Sequence, residues 1–163
     1  MSKYHQWLNE ALARLSDDFC KGTFSPQNES DVKCHLYDSF ISTKKGIGGL
    51  TAAHTVLSEF PVPDSREKID LAIVKKTKDA DVPRLLLEIK ETHLDHLESN
   101  EVKNRVQADV DKLLRMTDGG RVVFFFFRGP NLRHGVGVRT NKCMEQLRQE
   151  YDKNHVILEW GPR

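Results

Sequence analysis

Lys68-Ile69-Asp70-Leu71-Ala72-Ile73 and, after a polar interval, Leu85-Leu86-Leu87-Glu88-Ile89-Lys90 are the stretches on which the reading of this chain turns. Each is a short, β-rich apolar run interrupted by charge. An isolated carboxylate in apolar surroundings is costly unless a partner charge or a metal neutralises it. Glu88 and Lys90 are two residues apart, so on a strand they project from the same face. If the two runs pair as a hairpin, Asp70 faces Glu88, and two acids and a lysine converge on one point.

Around this centre the periodicity predicts the remaining elements. Lys3 to Cys20 carries Tyr4, Trp7, Leu8, Ala11, Leu12, Leu15 and Phe19 at helical spacing and is stopped by Gly22. A second helix is expected after Ser25-Pro26, read as an N-cap and a first-turn proline, running to about Ser42. Val32, Leu36, Phe40 and Ile41 lie on one of its sides, and Glu29 falls on that inward face near its start. Lys44 to Gly49 breaks the helix. Strands follow at His54 to Phe60, Ile69 to Val74 and Arg84 to Lys90, with Lys75 to Pro83 read as a hairpin loop. Glu101 to Met116 returns to helix, with a stripe of Val102, Val106, Val110, Leu113 and Leu114. Asp118-Gly119-Gly120 turns the chain into Arg121 to Phe127, a buried central strand, and a helix at Asn141 to Tyr151 and a strand at His155 to Glu159 complete it. The order predicts an α/β sandwich with a mixed central β-sheet flanked by helices.

The bulk properties agree with one domain spanning residues 1–163. Its length suits one continuous core, and 38% apolar with 30% charged residues places it among neither membrane nor disordered proteins. Apolar stretches are strand-sized, well short of the roughly 20 residues that cross a bilayer, and Met1 to Glu10 lacks a signal-peptide core. Cys20, Cys34 and Cys143 lie far apart and odd in number, which argues against a disulfide framework or a cysteine zinc site and predicts a reducing cytoplasm. A net charge of +1 neither demands nor excludes nucleic acid.

Paired carboxylates with a nearby lysine suit phosphodiester hydrolysis. The acids supply hard oxygen ligands for magnesium. The metal polarises the phosphate and lowers the pKa of an attacking water, and the lysine positions that water or offsets charge in the transition state. Asp70, then seventeen residues, then Glu88-Ile89-Lys90 resembles the signature of the PD-(D/E)XK superfamily, the restriction-endonuclease-like nucleases. The resemblance covers roughly residues 25–127 and includes the order helix, three strands, helix, strand; the N-terminal helix and the C-terminal helix and strand are additions to that core. It implies Asp70 and Glu88 as metal ligands, Lys90 as the catalytic lysine, Glu29 as an additional ligand and Gln107 as an accessory residue sharing a helix face with Asp111. It implies a magnesium-dependent DNA nuclease, an endonuclease rather than an exonuclease, with Mn2+ as a substitute ion. DNA is the expected partner, a homodimer or a second protein is a possible source of specificity, and no membrane is involved. The alternatives are a catalytically silent module of the same fold that binds nucleic acid or protein, and a nuclease acting on RNA or on unusual structures.

Other features have plainer readings. Asp64 in Pro61-Val62-Pro63-Asp64-Ser65 reads as a turn residue, not as the acid of the motif. Lys44 and Lys45 before the glycines suit either phosphate approach or an ordinary loop. His93 and His96 lack further metal-ligand spacing, and Arg128, Arg133, His134 and Arg139 read as solvated surface or as a phosphate track. Phe124 to Phe127, Trp7 and Trp160 read as core.

Overall fold

Helix α1 (Lys3–Cys20) forms where the periodicity places it, burying Trp7, Leu8, Ala11 and Leu15 on one side. Ser2 caps its start by accepting the His5 amide at 3.3 Å. Gly22, at φ 74°, closes its end in the left-handed conformation that glycine adopts without strain. Helix α2 (Glu29–Thr43) begins later than Ser25-Pro26 suggests. The Asn28 side chain accepts the Asp31 amide at 3.0 Å, and the Asp31 carboxylate accepts the Gln27 amide at 2.7 Å. This reciprocal pair satisfies two donors at the helix entrance and so fixes the start at Asn28. A 3-10 turn, Lys44–Gly46, leads out of α2.

The computed structural model describes residues 2–93, 100–128, 138–153 and 155–161. Five strands form one sheet in the order β1 (His54–Pro61), β2 (Lys68–Lys76), β3 (Asp81–His93), β4 (Gly120–Arg128) and β5 (Val156–Gly161). β1, β2 and β3 are antiparallel neighbours, whereas β4 joins β3, and β5 joins β4, in parallel. The parallel joins require crossovers, which carry α3 (Asn100–Leu114) and α4 (Val138–Asp152). The expected hairpin loop is tighter than its polar stretch suggests, because β2 and β3 stay paired out to Lys76 and Asp81. Pro83 is tolerated within β3 because the register shifts beside it, from Ile73–Leu85 to Val74–Pro83, leaving Arg84 as the extra residue. Gly119, at φ 94°, approaches the backbone of Pro83 and Arg84 as the chain turns into β4; a Cβ there would lie 3.4 Å from backbone carbons.

Helices cover both faces. On one, α1 and α2 pack on Leu71, Ile73, Leu85, Leu87, Ile89, Phe124 and Phe126; on the other, α3 and α4 pack on Ala72, Val74, Leu86, Phe125 and Phe127. The phenylalanine run of β4 thus alternates between two cores, and all four rings are fully buried. Trp7 belongs to the first core and donates its Nε1–H to the Phe40 carbonyl at 2.8 Å. Trp160 belongs to the second core. Leu114 corrects the expected stripe of α3: it is exposed, because it stands one 100° step beyond Leu113, which faces the core with Val106 and Val110. The Val102 side chain lies outside the described residues. Among the described residues no helix is long and apolar enough to cross a membrane.

Candidate active site

The hairpin brings the two charged strand positions together by an unusual local arrangement. The paired register of β2 and β3 ends at Leu71–Leu87, although β3 runs on to His93 beside β4. The next pair in that register is Asp70 and Glu88. There the Asp70 side chain takes over from the backbone, its Oδ2 accepting the Ile89 amide at 2.9 Å. On the other flank of β2, Glu59 of β1 stands opposite Asp70 with φ 55°. The left-handed conformation costs a non-glycine residue about 1–2 kcal/mol. Side-chain alternation breaks at this point: Ile69 and Ala72, three residues apart, both join the core under α3 and α4, as do Leu57 and Phe60. Asp70 therefore sits at the seam between the two helical layers, partly exposed.

Four cations and four further acids make up the charged cluster around it. Lys33 of α2 forms ion pairs with Glu59 and, at 3.6 Å, with Asp70 Oδ1. Lys112 of α3 lies 2.8 Å from Glu88 Oε2 and 3.6 Å from Asp109 Oδ1. Lys90 lies 3.0 Å from Asp109 Oδ2 and 3.8 Å from Glu29 Oε2. Arg105 reaches Glu29 Oε2 at 3.9 Å. Glu88 is the most buried of the acids at 1% exposure, and its Oε1 has no hydrogen-bond partner.

Burial pushes the Glu88 carboxyl up to about 8, reinforced by the negative charge of Asp70 and only partly offset by Lys112. Glu29 is also raised, first by burial, against the pull of Lys90. The Lys112 ammonium is held above its ordinary value: burial works most strongly against its charge, but the hydrogen bond to Glu88 and the charges of Glu88, Asp109 and Asp70 together outweigh it.

Asp70, Glu88 and Lys90 thus fall within one charged cluster, and Glu29 joins it through Lys90 and Arg105 rather than through the paired carboxylates. Gln107 is not brought to it. Its side chain is exposed and donates to Asp111 Oδ1 at 2.7 Å on the outer face of α3. Asp64 stands apart in the turn after β1, at φ 56°. Lys44 is tied to the His54 carbonyl, and Lys45 is exposed. The side chains of His93, Arg128, Arg139 and Cys143, together with His96, Arg133 and His134, lie outside the described residues.

Sequence reasoning missed Asp109, Lys112, Lys33 and Glu59. Asp109 and Lys112 carried a signal, since both interrupt the apolar stripe of Val106, Val110 and Leu113 at helical spacing. Lys33 is four residues after Glu29 and shares its face. Glu59 gave none, because its place depends on a backbone conformation that glutamate rarely adopts.

Among the described residues no three acidic, histidine or cysteine side chains are gathered as a ready-made metal cage. What the arrangement offers is two neighbouring acids, one of them with a buried oxygen that has no hydrogen-bond partner, and a lysine held by two further acids. A cavity of about 570 Å3, lined by Leu12, Ser16, Cys20 and Trp160 among others, lies between α1 and β5 and contains none of these carboxylates. No family model, curated protein or solved structure matches the chain.

Proposed function

We propose that this protein is a magnesium-dependent nuclease that hydrolyses phosphodiester bonds in DNA, as an endonuclease, with manganese able to replace magnesium. The observation that carries this reading is the nearness of Asp70 to Glu88, whose carboxyl its charge helps to raise, at the point where β2 and β3 part, with Glu88 Oε1 buried and unpartnered. A buried oxygen left without a donor is expensive, and a hard cation supplies what it lacks. Magnesium takes oxygen ligands, is commonly held by one or two carboxylates and keeps several waters, so the donor chemistry of this pair fits it. The order helix, three strands, helix, strand, with β4 added in parallel to an antiparallel hairpin pair, supports a restriction-endonuclease-like core.

Asp70 and Glu88 would hold the ion, which when bound polarises a phosphate oxygen and lowers the pKa of a water. Asp70 is oriented by the Ile89 amide, which leaves its Oδ1 toward Lys33. Lys90 projects from the same strand as Glu88, two residues on, and its ammonium is held by Asp109 and Glu29. There it positions an attacking water or offsets charge on the phosphate. Glu29 acts in this reading by orienting Lys90.

A catalytically silent binding module is the second reading. It is favoured by one feature, that Glu88 and Asp109 are already paired with lysines. Supercoiled plasmid, single-stranded DNA and RNA, each incubated with Mg2+, Mn2+ or EDTA, separate the two. Metal-dependent cutting of DNA supports the nuclease; cutting of RNA alone changes the substrate class. A folded protein that binds these nucleic acids and cuts none is the silent module.

A further inference from the structure

Lys112 is placed as an ion would be. Its ammonium lies 2.8 Å from Glu88 Oε2 and 3.6 Å from Asp109 Oδ1. It also donates to the Lys68 carbonyl at 3.1 Å. The side chain is largely buried, at 14% exposure, so this ammonium has exchanged water for three protein oxygens drawn from β2, β3 and α3. A carboxylate, a second carboxylate and a backbone carbonyl around one positive charge make an oxygen cradle of the kind that small divalent cations also occupy. The cradle shares Glu88 with the proposed magnesium site. One oxygen of that carboxylate, Oε2, faces Lys112, and the other, Oε1, has no partner.

Two-metal phosphodiesterases hold their ions about 3.5–4 Å apart, typically bridged by shared oxygen ligands. Here a charge that the chain itself supplies lies against the carboxylate such a pair of ions would share. Resting on the magnesium reading above, we propose that Lys112 occupies with its ammonium the place of a second metal, so that the site takes a single divalent cation, on Asp70 and Glu88 Oε1. Asp109 then serves two lysines at once. It holds Lys112 in the cradle through Oδ1 and Lys90 beside the reaction centre through Oδ2.

The test counts bound Mn2+ from the loss of the free-ion electron paramagnetic resonance signal, with no substrate present and with folding checked by circular dichroism. The wild type is expected to bind one Mn2+ per chain. Lys112→Met, which keeps the length of the side chain and removes the charge, is expected to bind two, as is Lys112→Gln if the methionine variant does not fold. Lys112→Arg keeps the charge and is expected to remain at one. Two ions in the wild type, or one in every folded uncharged variant, would overturn the proposal while leaving the magnesium reading intact. If neither uncharged variant folds, the wild-type count decides alone. No Mn2+ bound to the wild type would overturn the magnesium reading, and this inference with it.

Discussion

Asp70 reaches across from its strand to accept the Ile89 amide at 2.9 Å, one residue beyond the point where the backbone pairing of β2 and β3 stops. That contact places Asp70 against Glu88 without closing the sheet over them. Carboxylates on a fully paired central hairpin would be covered on both sides. Where the strands part, lysines of the helices meet them instead, Lys33 of α2 at Asp70 and Lys112 of α3 at the buried Glu88.

The first consequence concerns pH. Glu88 is raised to about 8 by burial and by Asp70, from an ordinary value of 4.5. Between those values the folded chain keeps a proton that the unfolded chain has released, so in metal-free buffer stability falls as pH rises from about 4.5 to about 8. Glu88→Gln has no such titration. Thermal melts across this range should show the Tm of the wild type falling relative to Glu88→Gln as pH rises. Saturating Mg2+ at pH 8 should recover part of the difference in the wild type only, since binding to the native state stabilises it.

Asp109 has a double burden, and its loss should be felt in two measurements. Asp109→Ala removes the nearest acid from Lys90 and one of the acids from Lys112. Leaving buried charges less compensated should cost about 1–3 kcal/mol in urea denaturation. Asp109→Asn keeps the shape and should recover part of that stability. Cleavage by Asp109→Asn should still fall by about tenfold or more, short of the roughly 100-fold or greater loss expected when the catalytic group itself is removed.

Gln107 should be dispensable. Its side chain is exposed and bonded to Asp111, away from the carboxylates. Gln107→Ala should leave stability within about 0.5 kcal/mol, as for surface substitutions generally, and should leave cleavage at the wild-type rate. A large loss of activity with an unchanged fold would mean that α3 turns this side chain inward when substrate binds.

The fold was legible because its signals are local. Helical periodicity located α1, and the phenylalanine run located a strand buried on both faces, since four consecutive large apolar residues are satisfied only between two cores. Glu88 and Lys90 were legible for a related reason, as charge inside apolar strands. The start of α2 was not, because Ser25 and Asn28 are both good caps and the Asp31 partner decides between them. Leu114 misled because helix periodicity tolerates one residue at the margin of a stripe. At the site, Asp109 and Lys112 were readable in principle, as charges on an inward helix face. The break of alternation at Glu59 and Asp70 was not, since nothing in Ser58-Glu59-Phe60 announces a left-handed residue.

In the proposed nuclease, Asp70 and Lys90 carry metal-dependent phosphodiester hydrolysis. The most direct measurement is nicking of supercoiled plasmid by the wild type, Asp70→Asn and Lys90→Met, each purified identically and run with Mg2+ and with EDTA. The wild type should nick the plasmid in a reaction that EDTA abolishes, and both variants should lose roughly 100-fold or more, the scale expected when an electrostatic or acid–base group is removed. Equal nicking by all three proteins would contradict this assignment, as would nicking by the wild type that survives EDTA.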